Sequence, residues 1–211
     1  MSVMTDTYKL ANGRQIPQVG FGTWQIPGGK ETYDSVTWAL EAGYLHIDTA
    51  AAYRNERSVG EAVRDSGIDR ETLYLTSKIP AEIKTHDEAM EQIERSLDAL
   101  GLDYIDLLLI HAPRPWSEMN NSRADRQYEG NAAVWRAMEE AYAAGKLKAI
   151  GVSNFEIDDL EHLLDSAKIR PMVNQIRLSI GHMTNELVDY CREQAILVEA
   201  YSPLATGRLL K

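Results

Sequence analysis

Short apolar segments that alternate with amphipathic segments are the feature that most constrains this chain. The apolar segments have the length of strands and cover residues 19–22, 44–47, 73–79, 105–111, 147–152, 171–175 and 197–201. The segments between them carry apolar residues at helical spacing, near 30–42, 56–66, 85–100, 131–144, 157–164 and 184–191. Because strand and helix alternate throughout, the pattern predicts parallel β/α units and an α/β fold of the (β/α)8 TIM barrel type.

The number of predicted strands sets the expected domain organisation. Seven strands without a break in composition favour a single barrel domain over residues 1–211 rather than two domains. The pair Asn12-Gly13 between short alternating runs predicts a β-hairpin ahead of the barrel. A complete barrel has eight strands, so we expect an incomplete one that lacks strand eight and the C-terminal helices. Two open strand edges would then be exposed, and we expect the polypeptide to be longer than this chain.

Charge and cysteine content narrow the function classes. A formal net charge of −10 argues against a broad contact with nucleic acid or an anionic membrane. The longest apolar run, 107–110, is too short for a bilayer, and the N-terminus lacks a signal-peptide pattern. Cys191 is the only cysteine, and no Cys/His spacing indicates a metal site. We expect a cytoplasmic protein that binds a small molecule without a metal, as a monomer or a weak homo-oligomer.

Polar residues stand at the carboxyl ends of the predicted strands, where β/α barrels carry their active sites. Asp48 ends the second strand and Tyr53 follows in the next loop, while Lys78 and His111 end the third and fourth strands. The later strand ends are occupied by Ser153, Asn154, Gln175 and Tyr201. Any one of these residues could be a solvated strand end or half of a buried ion pair. Four ionisable or phenolic groups at three successive strand ends indicate a functional site instead.

The chemistry of these four groups indicates a proton donor beside a group that stabilises an oxyanion. A buried carboxylate needs a cation, and Asp48 and Lys78 stand on neighbouring strands within reach of an ion pair. A cation beside Tyr53 should lower the pKa of its phenol from about 10, so that it can donate a proton to a developing alkoxide. His111 would hydrogen-bond the same substrate oxygen. This is half of a carbonyl reduction, and a cofactor would supply the hydride.

The motifs at these positions resemble those of the aldo-keto reductases. They are Asp48-Thr-Ala-x-x-Tyr53-x-Asn55-Glu56-x-x-x-Gly60, Thr76-Ser77-Lys78, Leu107-Leu-Leu-Ile-His111, Gly151-Val-Ser-Asn-Phe155, Val173-Asn-Gln175 and Ala200-Tyr-Ser-Pro-Leu204. The resemblance extends from the N-terminal hairpin to the last residue. It is nearest to the microbial reductases of small aldehydes, ketones and diketo sugar acids.

The resemblance implies an oxidoreductase that reduces small aldehydes and ketones to alcohols with NAD(P)H, keto sugar acids and 2-oxoaldehydes included. NADPH is the expected cofactor and NADH the alternative, bound across the barrel mouth without a Rossmann fold. Tyr53 would be the general acid/base, and Asp48, Lys78 and His111 would complete the catalytic tetrad. By position, the cofactor would be bound by Thr23, Asp48, Ser153, Asn154, Gln175, Tyr201, Ser202 and Leu204. The substrate would contact Trp24, Tyr53 and His111.

Four positions depart from the pattern of that family. Many members have Trp directly after the catalytic histidine, where this chain has Ala112, which should widen the substrate pocket. Trp116 follows in the same loop and leaves open whether the space is filled again. A frequent Glu after Asn-Gln-x is Arg177 here, and Ser179 and Ile180 replace the usual His-Pro.

Other functions for the same barrel remain to be distinguished. A Schiff-base aldolase with Lys78 as nucleophile would need a neutral amine, which the neighbouring Asp48 opposes. A non-catalytic NADP(H)-binding sensor, or an inactive truncated aldo-keto reductase, would preserve the motifs without turnover. Borohydride trapping would identify the aldolase, and cofactor binding without reduction would identify the sensor.

Overall fold

The computed structural model describes residues 4–181 and 183–205. Its first element is an antiparallel hairpin of β1 (Thr7–Lys9) and β2 (Gln15–Pro17). The turn between the two strands contains Gly13 at φ 87°, a left-handed conformation that glycine adopts without a steric penalty. The hairpin predicted from Asn12-Gly13 is therefore confirmed.

A parallel sheet of seven strands follows, in which every strand is hydrogen-bonded to the next one along the chain. The strands are β3 (Gly20–Gly22), β4 (His46–Asp48), β5 (Tyr74–Ile79), β6 (Leu107–Ile110), β7 (Ile150–Ser153), β8 (Val173–Arg177) and β9 (Leu197–Tyr201). A parallel sheet in unbroken sequential order is the topology of the (β/α) barrel. The predicted incomplete barrel, with seven strands in the described residues, is confirmed.

Six α-helices lie between or after these strands in the described part of the chain. They are α1 (Lys30–Glu41), α2 (Glu56–Asp65), α3 (His86–Leu100), α4 (Tyr128–Ala143), α5 (Ile157–Ser166) and α6 (Asn185–Glu193). The start of α3 is fixed by Thr85, whose hydroxyl oxygen accepts from the Glu88 amide at 3.4 Å and donates to the Glu88 carboxylate at 2.6 Å. None of the helices in the ranges described is both long and apolar enough to span a membrane.

The core of the sheet is made by apolar strands that are covered on both faces. β6 is buried at all four positions, Leu107 to Ile110, as expected for a central strand of a parallel sheet. Outside the sheet, α2 and α3 pack backbone to backbone at Gly60. A Cβ atom at this position would overlap the carbonyl oxygen of Leu100, so only glycine allows the contact.

Two predicted elements need correction. The segment 19–22 was expected to be a buried strand, but β3 is an edge strand with one neighbour and its two glycines are exposed. The fourth helix begins at Tyr128 rather than near residue 131. The preceding residue, Gln127, has φ 59° and donates its amide to the Asp125 carboxylate at 2.9 Å, so an Asp-based turn ends the loop early.

Candidate active site

A buried ion pair forms the floor of the site. Lys78 Nζ on β5 donates to Asp48 Oδ1 at 2.6 Å and to the Thr49 carbonyl oxygen at 2.9 Å. The second carboxylate oxygen, Asp48 Oδ2, accepts from Gln175 Nε2 at 2.8 Å. Only 1% of the Lys78 side chain is exposed. Because both carboxylate oxygens and the ammonium have partners, the pair is stable in a position where either charge alone would be costly.

The ion pair keeps Lys78 charged. Burial lowers the pKa of Lys78, but the charge of Asp48 and the hydrogen bond to it outweigh burial and raise that pKa above its ordinary value. A neutral amine is therefore disfavoured at this position. This electrostatic balance speaks against the Schiff-base aldolase, whose nucleophile must be unprotonated.

Tyr53 lies above the ion pair, in a single 3-10 turn of residues 51–53 that follows β4. Lys78 Nζ is 5.2 Å from the centroid of the Tyr53 ring. The expectation that this cation lowers the pKa of Tyr53 is wrong in its net direction. Burial raises the pKa of the phenol more than the charge of Lys78 lowers it, so the pKa lies above 10.0. Tyr53 therefore carries its proton at neutral pH.

His111 follows β6 and is almost completely buried. Burial, and secondarily the charge of Lys78, lowers the pKa of His111 to about 3, so the imidazole is neutral at physiological pH. Its ring contacts Tyr53 edge to face, with 5.5 Å between the centroids. His111 Nδ1 is buried and has no hydrogen-bond partner in the described residues. A neutral imidazole in this position can donate a hydrogen bond without transferring a charge.

A hydrogen-bonded cluster connects the ends of β6 through β9. Asn154 Nδ2 donates to the His111 carbonyl oxygen and to Ser153 Oγ, both at 3.0 Å, and Ser153 Oγ donates to the Gln175 carbonyl oxygen at 2.8 Å. Tyr201 Oη donates to Asn154 Oδ1 at 2.8 Å. Asn154 has φ 60°, a left-handed conformation that asparagine tolerates better than most residues. The cluster brings five predicted site residues into contact: His111, Ser153, Asn154, Gln175 and Tyr201.

These groups open into one cavity of about 750 Å³. It is lined by Gly22, Trp24, Asp48, Ala52, Tyr53, His111, Trp116, Ser153, Asn154, Gln175, Arg177, Tyr201, Ser202 and Ala205. Most of the predicted cofactor and substrate residues are in this lining. Lys78 lies beneath it, behind Asp48.

Two predicted cofactor residues lie outside the cavity lining. Thr23 is completely buried, and its hydroxyl donates to the Asp48 carbonyl oxygen at 3.1 Å, a contact that fixes the end of β4. Leu204 is 59% exposed. The structure therefore gives Thr23 a supporting position behind the site and leaves Leu204 on the surface.

The effect of Ala112 on the width of the pocket stays a prediction. Ala112 is completely buried and is not among the cavity-lining residues, and its carbonyl oxygen accepts from Lys84 Nζ at 3.2 Å. A 3-10 turn of residues 116–118 places Trp116 at the cavity, edge-on to the His111 ring with 5.2 Å between the centroids. The indole absent after His111 is thus replaced by one from the same loop.

Asn55 has a structural role that sequence reasoning did not assign. Its side-chain oxygen accepts from the Thr49 hydroxyl at 2.7 Å, and its side-chain nitrogen donates to the carbonyl oxygens of Thr23 and Ile26, both at 3.1 Å. These bonds tie the loop after β4 to the loop after β3. The sequence clue to this role was the position of Asn55, two residues after Tyr53 and directly before α2.

Glu199 was also missed. It is paired in register with Gln175 on the neighbouring strand, so the two side chains project from the same face of the sheet. Glu199 Oε2 is buried without a hydrogen-bond partner in the described residues. Burial, with the charge of Asp48, raises the pKa of Glu199 to about 7. The sequence clue was an acidic residue within the otherwise mostly apolar strand 197–201, where a carboxyl group is unusual.

The described residues contain no cluster of side chains that could bind a metal ion. Among them, no group of three or more His, Cys, Asp or Glu side chains is arranged to hold an ion. The single cysteine, Cys191, is buried in α6 and burial raises the pKa of its thiol.

Comparisons with known proteins agree on one family. The family model described as Aldo/keto reductase family matches residues 18–211. Glyoxal reductase of Bacillus subtilis is 43% identical over 207 residues, which is 98% of this chain and 70% of that protein. Glycerol 2-dehydrogenase (NADP(+)) of Saccharomyces cerevisiae is 40% identical over 219 residues, covering 96% of this chain and 69% of that protein.

A comparison with solved structures also finds similarity to the aldo-keto reductases. The crystal structure of a Bombyx mori aldo-keto reductase in complex with NADP superposes with a TM-score of 0.82 at 34% sequence identity. It covers 95% of this chain, which spans 67% of the length of that structure.

Proposed function

The chain belongs to the aldo/keto reductase family, and from that premise we propose that it reduces small aldehydes and ketones to alcohols with NADPH. The resemblance stated from the sequence motifs is confirmed by the family match. The glyoxal reductase and the NADP-dependent glycerol dehydrogenase among its relatives support a small carbonyl substrate and NADPH. The NADP bound by its structural neighbour supports the same cofactor.

One observation supports the reaction most strongly. A protonated phenol, Tyr53, and a neutral imidazole, His111, face the same cavity above a buried ammonium–carboxylate pair. The reduction of a carbonyl needs a proton for the oxygen that becomes the alcohol, and the phenol can supply it. The non-catalytic sensor is not favoured, because a sensor would have no need for the buried ion pair beneath Tyr53.

The residues at the ends of β7 and β8 fit the carboxamide of a nicotinamide. A carboxamide offers two donor hydrogens and an acceptor oxygen. Ser153, Asn154 and Gln175 present hydroxyl and amide groups to the cavity, and the bond from Gln175 Nε2 to Asp48 Oδ2 at 2.8 Å fixes the Gln175 amide in place. We propose that these three side chains hold the carboxamide and that Tyr201 packs against the ring. When bound, the nicotinamide supplies the hydride.

The proton is then transferred by Tyr53. As negative charge develops on the carbonyl oxygen, the Tyr53 hydroxyl donates its proton to that oxygen, and Lys78 stabilises the phenolate that remains. Asp48 holds Lys78 in place through the 2.6 Å bond. His111 donates a hydrogen bond to the same oxygen and orients it. General acid catalysis of this kind contributes about 10²- to 10⁴-fold in rate.

Two indoles form the substrate side of the cavity in this proposal. Trp24 and Trp116 both line it and are 54% and 43% exposed. Flat apolar walls at the mouth suit carbonyl compounds with short or aromatic substituents. The single barrel domain over residues 1–211, the cytoplasmic location and the monomeric or weakly associated state remain predictions.

The test is cofactor binding followed by turnover. Fluorescence titration with NADPH measures binding, and loss of nicotinamide absorbance with methylglyoxal and a panel of small aldehydes and ketones measures reduction. We expect binding and turnover together. Binding without turnover of any carbonyl in the panel would contradict the reductase and support the sensor.

A further inference from the structure

Arg177 is, in the part of the chain that the structure describes, the cationic residue in the cavity lining. It ends β8, two residues after Gln175, so both side chains project from the same face of the sheet. Its register partner on β9 is Tyr201. Arg177 is exposed, and within residues 4–181 and 183–205 it makes no hydrogen bond or ion pair.

The other charges at the cavity do not neutralise Arg177. Asp48 also lines the cavity, but its charge is matched by Lys78 at 2.6 Å and its second oxygen is bound to Gln175. Glu199 projects from the same face of the sheet, but it is not among the residues that line the cavity, and within the described residues it forms no ion pair with Arg177. Among the described residues, the cavity lining therefore presents one positive charge without an ion-pair partner, at the end of β8.

We propose that Arg177 binds an anionic group, a carboxylate or a phosphate, of a ligand that occupies this cavity. A guanidinium presents a planar fork of donors that matches both groups. This inference rests on the proposed function, because the anionic group belongs either to an acidic carbonyl substrate or to the cofactor.

The experiment compares Arg177→Gln with Arg177→Lys and with a control, Arg95→Gln. Arg95 lies on α3 and is 68% exposed in a surface pair with Glu91, remote from the cavity. Calorimetry measures the binding of 4-carboxybenzaldehyde and of its neutral methyl ester to the full chain. Fluorescence titration measures the binding of NADPH and of NADH. None of these measurements depends on turnover.

Two results would support the proposal and identify the source of the anion. If the substrate carries it, Arg177→Gln weakens binding of the carboxylate about five- to tenfold and leaves the ester and NADPH unchanged. If the cofactor carries it, Arg177→Gln weakens NADPH by a similar factor and both aldehydes bind as before. In either case Arg177→Lys retains part of the affinity, and added salt reduces the difference.

One result would overturn the proposal. If Arg177→Gln changes the affinity for all four ligands by less than twofold, as expected for Arg95→Gln, then Arg177 binds no anion. A lack of turnover by the unaltered chain would defeat the proposed function but leave this test intact.

Discussion

The two sides of the cavity differ in how their polar groups are satisfied. On the side of β4 and β5, Asp48 and Lys78 have partners for both carboxylate oxygens and for the ammonium. On the side of β8 and β9, Arg177 has no partner and Glu199 Oε2 is buried without one, among the residues described. The first side is held in place by the protein itself. The second side has donors and acceptors to offer to a ligand.

We call the side of β4 and β5 the fixed side and the side of β8 and β9 the open side. We assign proton transfer to the fixed side and ligand recognition to the open side. Proton transfer requires groups whose positions and charges are fixed before the substrate arrives. Ligand recognition requires groups that gain a partner when the ligand binds. We therefore expect changes on the fixed side to cost stability and rate, and changes on the open side to alter affinity and pH response.

The largest effect on stability is expected at the ion pair. Lys78→Met leaves Asp48 buried without a cation and should lower the free energy of unfolding by about 3–5 kcal/mol. The double variant Lys78→Met with Asp48→Asn removes both charges and should recover most of this loss, without recovering carbonyl reduction. Chemical denaturation of the unaltered chain, of Lys78→Met and of the double variant checks the prediction. A double variant as unstable as Lys78→Met would show that the cost is not electrostatic.

Glu199 on the open side should make stability depend on pH. Burial raises its pKa from an ordinary value of 4.5 to about 7, so between these pH values the folded state binds a proton that the unfolded state releases. Stability contributed by this proton is present below about pH 4.5 and is lost as the pH rises through 7. Glu199→Gln should therefore become more stable relative to the unaltered chain across this range, by about 1–3 kcal/mol.

The control variant for Glu199→Gln is Glu193→Gln. Glu193 is exposed and is the last residue of α6. Denaturation midpoints of both variants at several pH values between 4.5 and 8 provide the measurement. Asp48, Lys78, Gln175 and Tyr74 face Glu199 and are unchanged in both variants. Equal pH dependence of the two variants would contradict a raised pKa at Glu199.

The smallest effect is expected at the indole of Trp116. Trp116→Ala removes the ring that contacts His111 and should raise KM for aromatic aldehydes about three- to tenfold, with little change for methylglyoxal. Trp38→Ala is the matched control, since Trp38 is 63% exposed on α1 and is absent from the cavity lining. Equal KM values for the two variants would contradict a contact between Trp116 and the substrate.

Periodicity and motif order predicted the fixed side well. The strand that ends at Tyr201 has the predicted bounds, and Asp48, Lys78 and His111 stand at three successive strand ends as expected. Strand ends of a parallel sheet are set by short-range patterns, and their meeting at one edge follows from topology.

The errors have a common cause in burial, which the sequence does not contain. The net pKa shift of Tyr53 depends on how far burial outweighs the charge of Lys78, and only the fold sets that balance. The position of Trp116 depends on a turn of the loop, and the partial exposure of β3 depends on its place at the sheet edge. These quantities arise from contacts between segments distant in sequence.

The central claim is that the fixed side carries the proton transfer, and Tyr53→Phe tests it most directly. This change removes the hydroxyl and leaves the ring that contacts His111 and Lys78. NADPH affinity and kcat are measured side by side for the variant and the unaltered chain. We predict unchanged NADPH affinity with a loss of kcat of about 10²-fold or more. Retention of kcat within a few-fold would contradict the account, because the proton would then come from another group.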